Sequence, residues 1–582
     1  MKILGISCEH DAGASIVIDG KIIGAINEER FSRKKLYKGF PELSIKAVCE
    51  IANLSPRDID LIAISTLNHV DYIGFKKPTL IQKIGEKFST IKLIQTLLHL
   101  NIISSFIKLI IFVLQCPYRR NLIKKLRTLG FSQKVSFLDH HDCHAYSAYY
   151  TSGFEDCMVI TLDGAGDGFC SKVYIPKSNR LKEVHRVPFY SSPAYYYAYA
   201  TNLCGFKCGR EGKITGLAAY GNPEITKYIF AKRINYNNEK IQFINHGYYL
   251  NYEKEHLLKA LNGSTKEAIA AGIQSIFEDL VLAYIRDLIK KYKNNKPTKL
   301  ALAGGAFANV KLNQKISELQ NAEEIYVFPH MGDGGLATGA AYVLLSKKQA
   351  IKPYALDNAY LGTQYTDKDY LQALENCEQI IYSRATNVSF EIARAIQEGK
   401  VVAYFNGRME YGPRALGHRS IFASANDPSI NQWLNEKLCR SEFMPFAPII
   451  LKEKENEYFS NLDAKHNCIK FMTTTTIVTS KALKDIPAAI HIDGTARFQS
   501  ITKDQNPVVY DMLQNYYKLT GIPAVINTSF NMHEEPIVES PTDAIECLLK
   551  GHLDMLVLGN YIVERKEADK PLALKEKDTI TV

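Results

Sequence analysis

Two histidines four residues apart, His140 and His144, mark the first place where this chain could do chemistry. They lie in Asp139-His140-His141-Asp142-Cys143-His144. On a helix they would share one face about a turn apart, the spacing at which two imidazoles hold one metal ion. Two imidazoles with a distant carboxylate and open positions suit a divalent transition metal acting on substrate. The competing reading is a helix N-terminus whose histidines are satisfied by ordinary hydrogen bonds. Asp333, in His330-Met331-Gly332-Asp333-Gly334-Gly335, is the candidate third ligand and equally a candidate N-cap.

Two glycine-rich stretches follow apolar runs. In Asp163-Gly164-Ala165-Gly166-Asp167-Gly168, glycines let backbone N–H groups approach an oxyanion, while the aspartates favour a metal or hydroxyl donors. A tight hairpin turn is the alternative. Gly304-Gly305-Ala306-Phe307-Ala308-Asn309 resembles the adenosine loop of actin-like nucleotide-binding proteins, although a strand–Gly-Gly–helix passage can also serve close packing. A third region is rich in arginine: Asn406-Gly407-Arg408-Met409-Glu410-Tyr411-Gly412-Pro413-Arg414-Ala415-Leu416-Gly417-His418-Arg419. Arginines beside Gly, Pro and apolar residues point to an anion pocket, where the guanidinium fork grips phosphate or carboxylate. Arg440, His491, Arg497, Asn527 and Ser529 are further candidates.

The elements that must position these residues alternate strand and helix. Strands are expected at 2–7, 14–19 and 21–27, with Asp19-Gly20 as a hairpin turn. A helix at 43–52 and strands at 60–65 and 134–138 follow. Then come a helix at 141–150, strands at 157–163 and 170–175, a long helix at 266–292, and strands at 299–303 and 325–328. Two hairpin starts, near 1–27 and 157–175, suggest a duplicated core. A polar stretch at 347–365 with Pro353 and Gly362 is read as the boundary between domains 1–350 and 351–582. The second half has helices at 390–398, 507–520 and 541–549, and strands at 401–405, 524–526 and 555–558. The class is α/β or α+β throughout.

The 582 residues are too many for one ordinary core. With 46% hydrophobic and 23% charged residues, the composition excludes disorder and low complexity for most of the chain. The start, MKILGISCEH, reads as a first strand; a signal peptide is not expected. Twelve cysteines without framework spacing suggest reduced thiols and a cytoplasmic setting. No eighteen-residue apolar run free of charge occurs, so no transmembrane helix is expected.

The formal net charge is +10, but its distribution argues against a nucleic-acid partner. Residues 76–134 hold twelve Lys and Arg and one acid, Glu86, so this segment carries the whole excess. Its stretch 89–116, STIKLIQTLLHLNIISSFIKLIIFVLQC, is also the most apolar and ends at Pro117. It is read either as a helical hairpin packed on its own domain or a dimer partner, or as an interfacial element for anionic lipid or an amphiphilic substrate.

Nine motifs then fall in one order: GISCEHDAGASI, HHDCHAYSAYY, LDGAGDG, EGKITGLAAYG, GGAFANVKLN, GDGGLATGAA, RMEYGPRALGHRS, HIDGTARFQS and INTSFNMHEEPIV. Taken together they resemble the NodU-type O-carbamoyltransferase family over nearly the whole chain, apart from the basic insert. The resemblance implies an N-terminal two-lobed actin-like domain, like the tRNA threonylcarbamoyl transferase, and a C-terminal YrdC-like domain. It implies that the C-terminal site cleaves carbamoyl phosphate and joins the carbamate to ATP, giving carbamoyl-adenylate and pyrophosphate. The N-terminal site would pass the carbamoyl group to an acceptor hydroxyl. Iron(II) or another divalent metal on His140, His144 and Asp333 is implied, with Mg2+ accompanying ATP.

His10 matches the family's general base, with Asp11 beside it. The adenylate would rest on Asp163, Gly164, Asp167, Glu211, Lys213, Gly304, Gly305 and Asn309. Phosphates would meet Arg408, Arg414, Arg419, Arg440, His491, Arg497, Asn527 and Ser529. The family often has an arginine before its Pro-Phe-Ala-Pro, where this chain reads Phe443-Met444-Pro445-Phe446-Ala447-Pro448. The unusual insert at 89–127 means that the acceptor cannot be copied from a relative. The rival readings are an ATP-dependent sugar kinase on the actin-like core and a non-enzymatic nucleotide-gated binding protein.

Overall fold

A computed structural model describes residues 1–67, 90–178, 180–439 and 444–566. The first part of the basic insert, residues 76–89, lies outside the described residues, as do Arg440 and Phe443.

The first sheet has five strands. Lys2–Ser7 is central, paired antiparallel to Gly13–Ile18 and parallel to Leu61–Ser65. Lys21–Asn27 and Val135–Leu138 form its edges. Five of the six residues of Lys2–Ser7 are buried, as expected of a strand covered on both faces. The turn after Gly13–Ile18 is made by Asp19 and Gly20, both at positive φ (48° and 85°), the conformation that Asp-Gly favours in a two-residue hairpin.

The second sheet repeats this plan. Met158–Gly166 is central, antiparallel to Phe169–Lys177 and parallel to Thr298–Ala303. Arg180–Pro188 and Ala322–Val327 are its edges. Numbered within each sheet in chain order, both read 3-2-1-4-5 with the same strand directions. The core is therefore duplicated, as the two hairpin starts suggested.

Between the two sheets run the helices His140–Ser152 and Leu336–Ser346. Twelve of the thirteen residues of the first and all of the second are buried. Alanines Ala145, Ala148, Ala337, Ala340 and Ala341 keep both helices slim enough to share one core. The helix Lys266–Lys293 is the one described helix long and apolar enough to cross a membrane. It is a core helix here, with 83% of its apolar window buried.

The second half is built on an eight-stranded mixed sheet. Its order is Ile380–Arg384, Tyr561–Arg565, Met555–Leu558, Val402–Phe405, Arg419–Ala423, Ala524–Ser529, Pro448–Leu451, Gln499–Ile501. The chain is thus mixed α/β throughout. The described part of the insert forms three helices, Lys92–Leu98, Asn101–Leu114 and Cys116–Thr128.

Candidate active site

The helix His140–Ser152 begins where Asp139 accepts a hydrogen bond from the Asp142 N–H (3.1 Å), a side-chain cap of an otherwise unsatisfied donor. Asp139 is buried and is itself held by Lys172 (2.8 Å) and Lys108. These two ammonium groups outweigh the cost of burial and keep its carboxyl well below the usual carboxylate range. The cap therefore stays charged, which suits a helix N-terminus.

From this fixed end, His140 and His144 project on one face, as their spacing predicts. Across from them stand Asp163, in strand Met158–Gly166 where its pairing shifts register, and Asp333, in the turn Asp333–Gly335. His144 Nε2 lies 3.2 Å from Asp163 Oδ2 and 3.5 Å from Asp333 Oδ1; His140 Nε2 lies 3.7 Å from each. The four donor atoms all lie within 4.8 Å of one another.

His140 Nε2 is buried without a hydrogen-bond partner, while its Nδ1 is 3.4 Å from Thr66 Oγ1. A buried imidazole with one nitrogen engaged and the other open is arranged as a ligand. Burial opposes charging this ring, yet Asp333 and Asp163 overrule it and lift His140 to about 10. The two carboxylates thus favour positive charge on this ring. His141 is different: both its nitrogens have partners, Thr161 Oγ1 and Phe169 O, and burial beside His140 pushes it down to about 3. His140 thus keeps one nitrogen open, His144 Nε2 is hydrogen-bonded to Asp163 Oδ2 (3.2 Å), and His141 is a structural histidine. Asp333 does not cap a helix, because the next one, Leu336–Ser346, starts behind Gly335.

Gly166 makes room for this arrangement. A Cβ there would overlap the His140 ring. Gly304 does the same on the facing strand: its φ of 109° suits glycine, and a Cβ would strike the Leu162 backbone. Behind it the Gly305 N–H donates to Asp163 Oδ2 (3.2 Å), so the Gly-Gly loop is tied to the four-residue cluster. Gly164 N–H donates to the other Asp163 oxygen (2.6 Å).

His10 stands at the mouth. Its Nε2 is 3.3 Å from Asp333 Oδ2, with its side chain 42% exposed against 7% for Asp333. Burial opposes its charging, but Asp333, Glu9, Asp163 and Asp11 hold it above its ordinary value. Asp11 turns towards His330 instead of the cluster (3.5 Å), and burial beside Glu29 lifts its carboxyl to about 8. Glu211, in the first turn of the helix Glu211–Leu217, feels the charge of His10, and burial raises its carboxyl.

That short helix also borders a second space. A cavity of about 270 Å³ is walled by Lys35, Arg210, Lys213 and Ala308 from the first half and by Arg414, Arg497, Asn527, Ser529, His533 and Glu534 from the second. Five cationic side chains face one carboxylate. Asn527 Oδ1 is buried without a partner, while its Nδ2 is held by Ala415 O and Gln499 Oε1. A neighbouring cavity of about 330 Å³ shares Thr215, Gly216, Met444 and Pro445 with the first and adds Tyr220, Gln274, Glu278, Lys311 and His491. Burial and the nearby Arg497 push His491 down to about 4.

Several expected site residues take other roles. Asp163 belongs with the metal-type donors as well as with the Gly-Gly loop. Asp167 turns inward: its Oδ2 accepts from the His140 N–H (2.7 Å) and the Leu67 N–H (2.9 Å), so it positions the helix start and does not face a nucleotide. Asn309 caps helix Val310–Ser317 and bonds to Gln274, while its neighbours Ala308 and Val310 line the cavity. Arg408 donates to the carbonyls of Ile23, Leu361 and Gly362, joining the two halves. Arg419 is fully buried, donates to Asn406, Gly407 and His418 carbonyls, and stacks on Phe405 at 3.6 Å. Neither Arg408 nor Arg419 is among the residues lining the cavity, and both spend donors on backbone carbonyls where a phosphate role was expected.

Lys35, Arg210 and His533 were not read as site residues. His533 lies in the INTSFNMHEEPIV motif and Arg210 directly precedes EGKITGLAAYG, so both were open to notice, whereas Lys35 carries no local pattern.

The residues 2–342 match the family described as carbamoyltransferase N-terminus, and residues 393–565 match carbamoyltransferase C-terminus. The chain belongs to the carbamoyltransferase family. It is 32% identical to the uncharacterised protein MJ1051 of Methanocaldococcus jannaschii, over 97% of this chain and 99% of that one. It is 29% identical to the nodulation protein NolNO of Sinorhizobium fredii, over 96% of this chain and 79% of that one. A solved structure of T. kodakarensis HypF is similar over 60% of this chain and 48% of its own, at 12% identity and a TM-score of 0.30. The protein is a carbamoyltransferase enzyme. Because both halves are accounted for by that family, the kinase and scaffold readings have no part of the chain left to explain.

Proposed function

We propose that this enzyme makes carbamoyl-adenylate from carbamoyl phosphate and ATP, then transfers the carbamoyl group to a hydroxyl of an acceptor. The observation that carries this reading is the cationic cavity walled by both halves and bordered by the helix whose Glu211 feels His10, at the mouth of the cluster of metal-type donors. A cavity facing five cations and one carboxylate is suited to polyanions. Arg414 and Arg497 would grip phosphate by paired hydrogen bonds, with Lys213 and Lys35 adding charge and Asn527 and Ser529 offering polar contacts. The adjoining cavity is of a size for the nucleoside, and the shared wall at Thr215 and Gly216 would let one adenylate extend between the two.

The chemistry balances as follows. Water cleaves the phosphate from carbamoyl phosphate, leaving carbamate and inorganic phosphate. A carbamate oxygen attacks the α-phosphorus of ATP, and pyrophosphate leaves. The acceptor oxygen then attacks the carbamoyl carbon, AMP leaves, and the hydroxyl proton goes to His10 Nε2.

His140, His144, Asp163 and Asp333 would hold a divalent metal. Two imidazoles and two carboxylates fit iron(II), and zinc and manganese as well. When bound, the metal supplies Lewis-acid polarisation of the carbamoyl oxygen. It would also offset the carboxylates that now raise His10, bringing that imidazole towards the range of a general base. Glu211 would hold the protonated form of His10, and Asp167 would keep His140 in place.

In fold terms, the twin 3-2-1-4-5 sheets are read as the two lobes of an actin-like domain. The eight-stranded half is read as the YrdC-like, adenylate-forming domain. The boundary between the two domains is read near residue 350.

The test uses purified protein, ATP, Mg2+ and carbamoyl phosphate, with no acceptor. Pyrophosphate release that depends on carbamoyl phosphate supports the first half-reaction. ADP formed whether or not carbamoyl phosphate is present would overturn it.

A further inference from the structure

Helix Asn101–Leu114 has two sharply different faces. Ser104, Ile107, Lys108 and Ile111 follow helical spacing and turn inward. Ser104 and Ile111 are buried, Ile107 packs on the core, and Lys108 pairs with the cap residue Asp139. Turned outward are Ile102 (73% exposed), Phe106 (59%), Leu109 (58%), Ile110 and Val113 (60%). They form one apolar stripe along the helix, continued at its ends by Leu100 and Leu114. A run of large exposed apolar side chains on one face marks an interaction surface.

The charge of this stretch of chain has one sign. No Asp or Glu occurs between Lys87 and Asp139. Lys92, Arg120, Lys124, Lys125 and Arg127 are exposed on the flanking helices. An apolar face on a segment whose exposed charges are all basic is complementary to an anionic bilayer, where the apolar side chains enter the acyl boundary and the cations meet headgroups. A second copy of this chain would bring like charges together.

The same helix packs against elements that carry the candidate site. Its Ser104 carbonyl packs against Gly168, which ends the glycine-rich loop begun by Asp163, and Lys108 holds the cap of the helix bearing His140 and His144. We propose that this stripe docks the enzyme on an anionic lipid surface, and that the acceptor hydroxyl belongs to a molecule presented at that surface. The second part rests on the carbamoyl-transfer reading above.

The test is co-flotation of the full chain with phosphatidylcholine vesicles, with and without phosphatidylserine. The wild type floats with phosphatidylserine vesicles and is released by high salt. The triple variant Phe106→Ser, Leu109→Ser, Val113→Ser loses binding about tenfold or more. The pair Arg120→Glu, Lys124→Glu weakens binding to phosphatidylserine vesicles specifically. Both variants keep carbamoyl-phosphate-dependent pyrophosphate release, which shows that they fold. Wild type that stays unbound overturns the docking, as does a triple variant that floats undiminished or equal flotation on neutral vesicles. A wild-type dimer made monomeric by the triple variant, with no flotation, would make the stripe a contact between copies and likewise overturn it. Flotation without pyrophosphate release would count against the adenylate reading alone.

Discussion

Arg414 is the residue through which the phosphate-binding account is most exposed to test. The cavity it lines also faces Lys35, Arg210, Lys213 and Arg497. Arg210 is partly committed, since its Nη2 lies 3.6 Å from Glu534. Removing Arg414 therefore takes one of about four effective charges. At an effective dielectric near 20, a unit pair about 4 Å apart is worth about 4 kcal/mol before desolvation. A hydrogen bond to a charged group contributes about 1.5–3 kcal/mol net.

Arg414→Ala should then cost about 2.7 kcal/mol, or about a hundredfold in kcat/KM for pyrophosphate release. Arg414→Lys keeps the charge but loses the paired fork, and should cost about tenfold. The assay is coupled pyrophosphate detection with carbamoyl phosphate varied. An alanine variant within about threefold of wild type would remove Arg414 from the site.

Three further outcomes follow from the geometry. His144→Ala should lower metal retained after gel filtration at least about tenfold by elemental analysis, while pyrophosphate release persists; loss of both would sink the division into two sites. Asp139→Asn keeps the helix cap but loses the charge shared by Lys108 and Lys172. Asp139→Ala loses both, so its thermal midpoint should fall further, by about 1 kcal/mol of extra destabilisation; equal midpoints would exclude the cap. His491 is held neutral, its folded pKa near 4 lying below its unfolded value of 6.5. Its contribution is intact above about pH 6.5 and is lost as pH falls towards 4, by roughly 3 kcal/mol in all. His491→Gln should flatten the acid limb of the stability profile, and an unchanged limb would assign that loss elsewhere.

Local signals located the elements wherever one pattern dominated. Lys2–Ser7 and Met158–Gly166 are apolar runs bounded by turn residues, and Pro507–Thr520 is an amphipathic helix with Asn506 as cap and Gly521 behind it. Other elements carry weak patterns. Arg180–Pro188 reads as polar because it is an edge strand with one solvated face. Pro193–Leu203 is a helix whose tyrosines are buried on all sides, leaving no helical period to see. Arg419–Ala423 was hidden by its leading arginine, which lies under Phe405.

In the site, the His140/His144 spacing was visible because both come from one helix. Asp163 could be read only as metal-binding or nucleotide-binding, since the choice depends on which strand end faces the helix. Lys35 could not be found at all: the cavity it lines is closed by residues hundreds of positions away. Arg408 and Arg419 mislead for the opposite reason. Their type suits an anion, but carbonyl groups in their own fold already take several of their donors.

The measurement that reaches the central claim most directly is a mass search with isotopically labelled carbamoyl phosphate. Purified enzyme, ATP and Mg2+ are incubated with it in the absence of any acceptor. The account predicts a labelled carbamoyl-adenylate together with unlabelled pyrophosphate, both lost in Arg414→Ala. ATP consumed only to ADP, with the label never joined to AMP, would contradict it.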